Sequence, residues 1–311
     1  MGELRKDYVL DRWVIVASER GARPHQFMHE EKVVAPELDF FAPGNESMTP
    51  VELDRVGDDS GWRIRVFNNK FAAARLEGQI ELKTDNEFFT YSANYGEHEV
   101  IVETPDSLRQ LWDFSDSELL EVYEMYNKRI GFVKLMDGIK YVNVFKNHKK
   151  DAGTSIVHSH SQLVGLNHVP QFVKDKVEAT KKYDGCPYCK IVEIEKKSDR
   201  HCFENDDFVA FTPYASRFPF EIWVFPKQHL RLMSELNLKG LSEIMGKILR
   251  KLKEIDAAFN YVVHYSPDNE DLHFHIEVLP RLSKWAGFEF SGTIINKQPP
   301  EEAAKFYRGE I

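Results

Sequence analysis

The chain has little with which to build a disulfide framework, holding three cysteines in 311 residues. Two of them stand together in Cys186-Pro187-Tyr188-Cys189, a pattern that fits a reducing compartment and a metal clip better than a stapled secreted fold. No run of about 18 apolar residues occurs. The N-terminus, Met1-Gly2-Glu3-Leu4-Arg5-Lys6-Asp7, lacks the apolar stretch of a secretion signal. No membrane association is therefore expected, and a cytoplasmic protein is. An excess of basic charge is also missing. The 41 Lys and Arg face 50 Asp and Glu, a net charge of −9, which argues against gripping a nucleic-acid backbone. Small phosphorylated ligands stay compatible, because a few local cations suffice to bind them. What is present is the material of a folded core: 42% apolar residues, with 22 Phe and 12 Tyr.

The length calls for one large or two moderate units, and the succession of elements predicts two. In the first pass come a strand at Trp62–Phe67, Asn69-Lys70-Phe71, a strand at Glu99–Pro105, and a helix opening on the capping box Ser115/Glu118. The helix carries an apolar face at Leu119, Val122, Tyr123, Tyr126 and Ile130. A strand at Tyr141–Phe145 leads to His158-Ser159-His160. In the second pass the strand is Glu221–Pro226 and the helix face Leu241, Ile244, Met245, Ile248, Leu249 and Leu252. The next strand is Tyr261–Tyr265, and His273-Phe274-His275 closes the unit. The expected fold class is α+β, two tandem repeats over residues 1–170 and 171–311, each an antiparallel sheet with one long helix. A charged stretch from Gln171 to Lys182 reads as a linking helix. Gly21 to Asp59, poor in periodicity, reads as an irregular arm.

The chemistry concentrates at His158-Ser159-His160-Ser161-Gln162. Strand alternation puts His158, His160 and Gln162 on one face, after the polar loop Lys149 to Ser155. A His-x-His pair by itself also fits a metal site or a core pair. With Gly153 and Ser155 in the loop before it, His160 can attack a phosphorus whose oxygens rest on loop N–H groups. Gln162 can then donate to a non-bridging oxygen as charge shifts. A phosphate acceptor is already ionised and needs no general base. Cys186, Cys189, His229 and His273 form a Cys2His2 set suited to a structural zinc.

Phe145-Lys146-Asn147, Gly153-Thr154-Ser155 and His158 to Gln162 resemble the active-site region of the galactose-1-phosphate uridylyltransferases, in the histidine-triad superfamily. Further likenesses run in order along the chain, at Arg20 to Pro24, Pro43 to Glu46, Arg65 to Phe71, Lys284 to Glu289 and Pro299-Pro300-Glu301. The resemblance implies histidine-triad-like repeats and a ping-pong transfer of a uridylyl group from UDP-glucose to galactose 1-phosphate through His160. Gln162 and Ser155 would hold the transferred group, with Asn147, Gly153 and His158 beside it. Asn69 and Phe71 would meet the nucleoside, Arg20 and Arg23 the phosphates, and Lys284, Trp285, Phe288 and Glu289 the hexose or its phosphate. It also implies a homodimer. A first metal set often found in the family falls here on Asp39, Ala42 and Ser107, with only His158 kept, so one zinc, in the second half, is expected. Some members place iron on histidines matching His264, His273 and His275.

Ser159 stands where the uridylyltransferases usually have Pro. A second reading therefore keeps His160 but takes AMP from ADP-glucose or a dinucleoside polyphosphate and passes it to inorganic phosphate. A third, a non-catalytic nucleotide-binding module, is disfavoured by the retained nucleophile and Gln162. In the duplicate, Glu277 replaces Gln162 and would repel a phosphate, so only the first half is expected to be active.

Overall fold

The structure is a computed structural model that describes residues 3–10, 13–16, 38–58, 60–81, 83–84, 86 and 88–311. Arg20 and Arg23 lie outside the described residues. The strands are β1 (Glu3–Lys6), β2 (Trp13–Val16), β3 (Glu52–Asp58), β4 (Gly61–Asn68), β5 (Lys83–Thr84), β6 (Thr90–Tyr91), β7 (Gly96–Val102), β8 (Tyr141–His148), β9 (His160–Leu166), β10 (His201–Glu204), β11 (Phe208–Phe211), β12 (Ile222–Pro226), β13 (Phe259–His264), β14 (His275–Pro280) and β15 (Ile294–Asn296). The helices are α1 (Asp116–Lys134), α2 (Gln171–Thr180), α3 (Pro187–Glu195), α4 (Leu238–Glu254) and α5 (Pro300–Arg308).

Ten strands form one sheet in the order β10-β11-β12-β14-β13-β8-β9-β7-β4-β3, and every pair in it is antiparallel. From the outer edges inward, both sets of five run first, second, third, fifth, fourth. They meet where β8 pairs β13, from Phe259 opposite His148 to Val263 opposite Val144. One continuous apolar cluster fills both halves, from Leu119 and Tyr126 on α1 to Leu241 and Leu249 on α4. The fold is α+β.

The two long helices form for reasons visible locally. Ser115 caps α1, accepting from the Glu118 N–H while the Glu118 carboxylate accepts from the Ser115 N–H. Leu119, Val122, Tyr123, Tyr126 and Val133 are fully buried along one stripe. Asn237 caps α4, whose stripe Leu241, Met245, Ile248, Leu249 and Leu252 is equally buried. Each such Leu contributes about 1.5–3 kcal/mol by leaving water. The helices pack on each other, and Arg250 of α4 pairs with Asp116 of α1 at 3.1 Å.

The expected linking helix is α2, and α3 follows it. The expected irregular arm is turns and a 3-10 turn where residues 38–51 are described, but Glu52–Asp58 is a strand hairpinned onto β4. Its sequence, ELDRVGD, shows no apolar alternation because β3 is an edge strand with exposed faces. Among the described residues no helix is long and apolar enough to cross a membrane.

Candidate active site and metal centre

β9 sits between β7 and β8 near the middle of the first half, so its residues are held from both sides. His160 lies opposite Val102, and Gln162 opposite Val100 and Phe145. Ser161, on the other face, reaches back under α1 to Tyr126. On the His160 face Val100 and Val102 join Phe41, Trp62 and Phe67 in a small apolar cluster, and Phe41 meets the His160 ring edge-on at 5.4 Å between centroids.

His160 is 8% exposed. Its Nδ1 lies 2.8 Å from the His158 carbonyl oxygen, which can only accept, so Nδ1 carries the proton and the lone pair is on Nε2. Burial pushes the His160 imidazole down to about 4, so at neutral pH the ring is uncharged and its Nε2 carries a lone pair.

Beneath it lies a buried polar network. Lys146 donates to Glu103 at 2.5 Å, to the Ser159 hydroxyl at 3.0 Å and to the His160 carbonyl at 3.0 Å. Ser159 and Ser161 donate to the two Glu103 oxygens, and Tyr126 reaches Glu103 at 3.0 Å and Tyr261 at 2.6 Å. Burial alone would raise the Glu103 carboxyl, but Lys146 and the two serines outweigh it and hold it below the ordinary range.

The remaining expected residues distribute as follows. His158 precedes the strand and is fully buried. Both its ring nitrogens face protein oxygens, Nδ1 the Asp39 carboxylate at 2.7 Å and Nε2 the Thr104 carbonyl at 2.6 Å. Asp39, which the resemblance aligns with a metal-binding cysteine, here bonds the histidine directly. Gly153, at φ +89°, ends a 3-10 turn over Lys150–Ala152. The N–H groups of Ala152, Gly153 and Thr154 are used inside this turn, while Ser155 is exposed beyond it. Asn147 accepts from Asn260 at 2.7 Å. Asn69 and Gln162 approach each other at 3.5 Å, and Phe71 is exposed. From the second half, Lys284 comes within 3.7 Å of Asp151 in the same turn. Trp285 stacks on Phe218 at 5.4 Å, Phe288 is half-exposed, and Glu289 accepts from the Ala286 N–H. The chain thus brings Lys284 beside the loop that precedes His160.

Cys186, Cys189, His229 and His273 present ligand atoms all within 4.8 Å of one another. Cys186 is the N-cap of α3 and Pro187 its first residue, which puts Cys189 one turn along the same helix. Cys189 Sγ lies 3.4 Å from His229 Nδ1 and 3.6 Å from His273 Nδ1, and Cys186 Sγ is 3.9 Å from His273 Nδ1. A tetrahedral zinc with ordinary bond lengths separates S and N by roughly 3.6 Å. The far nitrogens are held as metal-ligating histidines require: His229 Nε2 donates to Asp271 at 2.8 Å and His273 Nε2 to the Pro226 carbonyl at 3.0 Å. Burial and the adjacent Cys186 push the Cys189 thiol up to about 12, so two thiolates coexist here only around a cation. The donor set fits zinc.

A second group, His264, His275 and Glu277, also has metal-ligand geometry, but a lysine already occupies it. Lys176 donates to His275 Nε2 at 2.5 Å and to Glu277 at 2.6 Å, and Arg217 takes the other Glu277 oxygen at 2.5 Å. These four are all buried. A divalent ion on this cluster would have to displace Lys176 from both His275 and Glu277.

Residues to which sequence reading gave no role are His98, Glu103, Lys146, Phe41 and Lys176. Lys146 had a signal, a cation at an inward position of an apolar strand, which must find a buried partner.

Comparison with known proteins agrees with this architecture. The family model described as galactose-1-phosphate uridyl transferase, N-terminal domain, matches residues 2–170. A model described as a domain of unknown function (DUF4921) matches residues 130–304. An ADP-glucose phosphorylase of Arabidopsis thaliana is 35% identical over 98% of this chain and 92% of its own length. A galactose-1-phosphate uridylyltransferase of Thermotoga maritima is 28% identical over 99% and 98%. The crystal structure of an ADP-glucose phosphorylase from Arabidopsis thaliana with bound ADP-glucose superposes with a TM-score of 0.83, at 32% identity and 99% coverage of both chains. With half the chain matched by one family model and a relative of this identity over nearly its whole length, the chain belongs to the galactose-1-phosphate uridyl transferase family.

Proposed function

We propose that this chain is a nucleotidyltransferase that carries a nucleoside monophosphate on Nε2 of His160. The observation that carries the reading is the 2.8 Å bond from His160 Nδ1 to the His158 carbonyl, which leaves a lone pair on Nε2 of a ring kept neutral by burial. That lone pair attacks the α-phosphorus of a nucleotide sugar. An N–P bond forms, the bond from phosphorus to the bridging oxygen breaks, and the sugar 1-phosphate leaves with the electron pair. An oxygen of the acceptor phosphate then attacks the same phosphorus, and the N–P electrons return to Nε2. Nδ1 keeps its proton throughout, and the His158 carbonyl stabilises the charge that the ring gains as an adduct. Gln162 donates to a non-bridging oxygen, with Ser155, Gly153 and Asn147 nearby. Asn69 and Phe71 receive the nucleoside, Arg20 and Arg23 the phosphates, and Lys284, Trp285, Phe288 and Glu289 the hexose.

Two donors are consistent with this chemistry. ADP-glucose with inorganic phosphate as acceptor is supported by the 35% identity to an ADP-glucose phosphorylase and by Ser159, whose hydroxyl is built into the Glu103–Lys146 network. UDP-glucose with galactose 1-phosphate is supported by the family model and the 28% relative. Incubating the enzyme with each nucleotide sugar, and then with each acceptor, separates them. Phosphate-dependent release of ADP supports the first, galactose 1-phosphate-dependent formation of UDP-galactose the second, and neither product in any combination overturns both.

Zinc on Cys186, Cys189, His229 and His273 would tie α3 to β12 and β14 and supply structural cross-linking, not a catalytic step. The division into repeats at 170/171 and a homodimer complete the reading, the first supported by the matching strand orders and the second by family resemblance.

A further inference from the structure

We infer that His98 is a positioning residue that fixes which end of the Gln162 amide faces the phosphoryl group and couples it to the 69–73 loop. The inference rests on the transfer reading above and adds a residue that reading does not use. His98 lies on β7, is 7% exposed, and pairs in register with Val164 of β9, the residue after Gln162 on the same face. The Ala73 main-chain N–H donates to His98 Nδ1 at 2.9 Å. A main-chain N–H cannot accept, so Nδ1 carries the lone pair. Burial lowers the imidazole below its ordinary value and keeps it neutral, and a neutral ring with Nδ1 bare must carry its proton on Nε2. His98 Nε2 lies 2.9 Å from Gln162, so it donates, and the Gln162 atom facing it must be the oxygen.

Asn69 is compatible with this tautomer. Its Oδ1 accepts from the Phe71 N–H at 2.9 Å, so its amino end is turned inward, 3.2 Å from His98 Nε2 and 3.5 Å from Gln162 Oε1; with Nε2 protonated, the oxygen of Gln162 is the acceptor left to it. Asn69 is itself fastened to His98, its N–H donating to the His98 carbonyl at 2.7 Å. With Oε1 taken by two donors, the Gln162 amino group has no protein partner among the described residues and is presented as a donor. A flipped Gln162 would offer an acceptor to an anionic phosphoryl oxygen and lose its function. The order of bonds is thus Ala73 to His98 to Gln162, and it runs from the loop expected to meet the nucleoside to the group expected to meet the phosphorus.

The test is a double-mutant cycle on the rate of His160 labelling by a nucleotide sugar, with His98→Phe and Gln162→Ala. His98→Phe is expected to lower the rate about tenfold or more with little change in half-saturating donor, approaching the loss typical of a removed donor. In the Gln162→Ala background it should cost less than about twofold. His98→Gln, which can still place a donor towards residue 162, should recover most of the loss. An equal cost in both backgrounds, or no cost at all, overturns the inference. If the wild type is not labelled, or Gln162→Ala labels at the full rate, the transfer reading itself fails instead. Nitrogen-15 spectra of the wild-type histidines read the tautomer without any activity. A proton on Nε2 of His98 supports the inference, and one on Nδ1 overturns it even if the variants misfold.

Discussion

The ammonium of Lys176 lies 2.5 Å from Nε2 of His275, on the atom that His160 keeps free in the other half. The two histidines share one posture: His275 Nδ1 donates to the His273 carbonyl at 2.9 Å, as His160 Nδ1 does to that of His158 at 2.8 Å. The second lone pair is therefore stopped by a lysine, and Glu277, opposite Trp223 and Val262 in the sheet, is spent on Lys176 and Arg217. Replacing Lys176 by Met leaves a buried carboxylate and imidazole with half their partners, a change that costs about 3–5 kcal/mol in comparable buried pairs. Urea unfolding should show that loss. A cost below about 1 kcal/mol would mean the pair is not closed to water.

The same geometry fixes a metal count. Elemental analysis of protein made in zinc-supplemented medium should give about one equivalent per chain, lost in Cys189→Ser or His229→Ala. Lys176→Ala, which removes the cation bonded to both His275 and Glu277, should take up a further equivalent of divalent metal on titration. A wild-type chain holding two equivalents, one of them lost with His264→Ala, would contradict the reading of Lys176.

Because the zinc is assigned a structural role, Cys189→Ser should lower the melting temperature by on the order of 5–10 °C. The surviving folded enzyme should keep its rate of His160 labelling within about threefold. A large loss of rate with unchanged melting would place the metal in the chemistry.

Acid should weaken the fold well before carboxylates are protonated. Burial holds His160 at about 4 and places His148 well below its ordinary value. A group whose folded value is depressed contributes stability that is complete above its unfolded value, about 6.5, and is lost as pH falls towards the folded value. Between pH 7 and 5, His160 alone should account for on the order of 2 kcal/mol, through proton uptake on unfolding. Activity should stay level over that range, because the folded ring remains neutral, and fall as pH approaches 4. An activity midpoint near 6.5 would show that His160 is solvated.

Much of this site could be read from the chain because its signals are local. Ser115 and Glu118 mark the start of α1 by a box three residues long, and alternation puts His160 and Gln162 on one face. The partners of His158, Asp39 and Thr104, are not readable because both are distant in sequence. The buried roles of Lys146 and Lys176 are not legible, since their partners Glu103 and Glu277 lie 43 and 101 residues away in the chain. β7 reaches back to Gly96, beyond the expected start at Glu99, because Gly96 pairs with Leu166 and Gly165 beside it leaves room for Val133. β3 escaped notice because an edge strand need not alternate.

The most direct test is to mix the enzyme with ADP-glucose or UDP-glucose without acceptor, quench in base, which preserves an N–P bond, and analyse the peptides by mass spectrometry. The account predicts a nucleoside monophosphate adduct on His160, released by acid or by the acceptor phosphate, and absent in His160→Ala. An adduct on another residue, or exchange between nucleotide sugar and sugar phosphate that survives in His160→Ala, would contradict it.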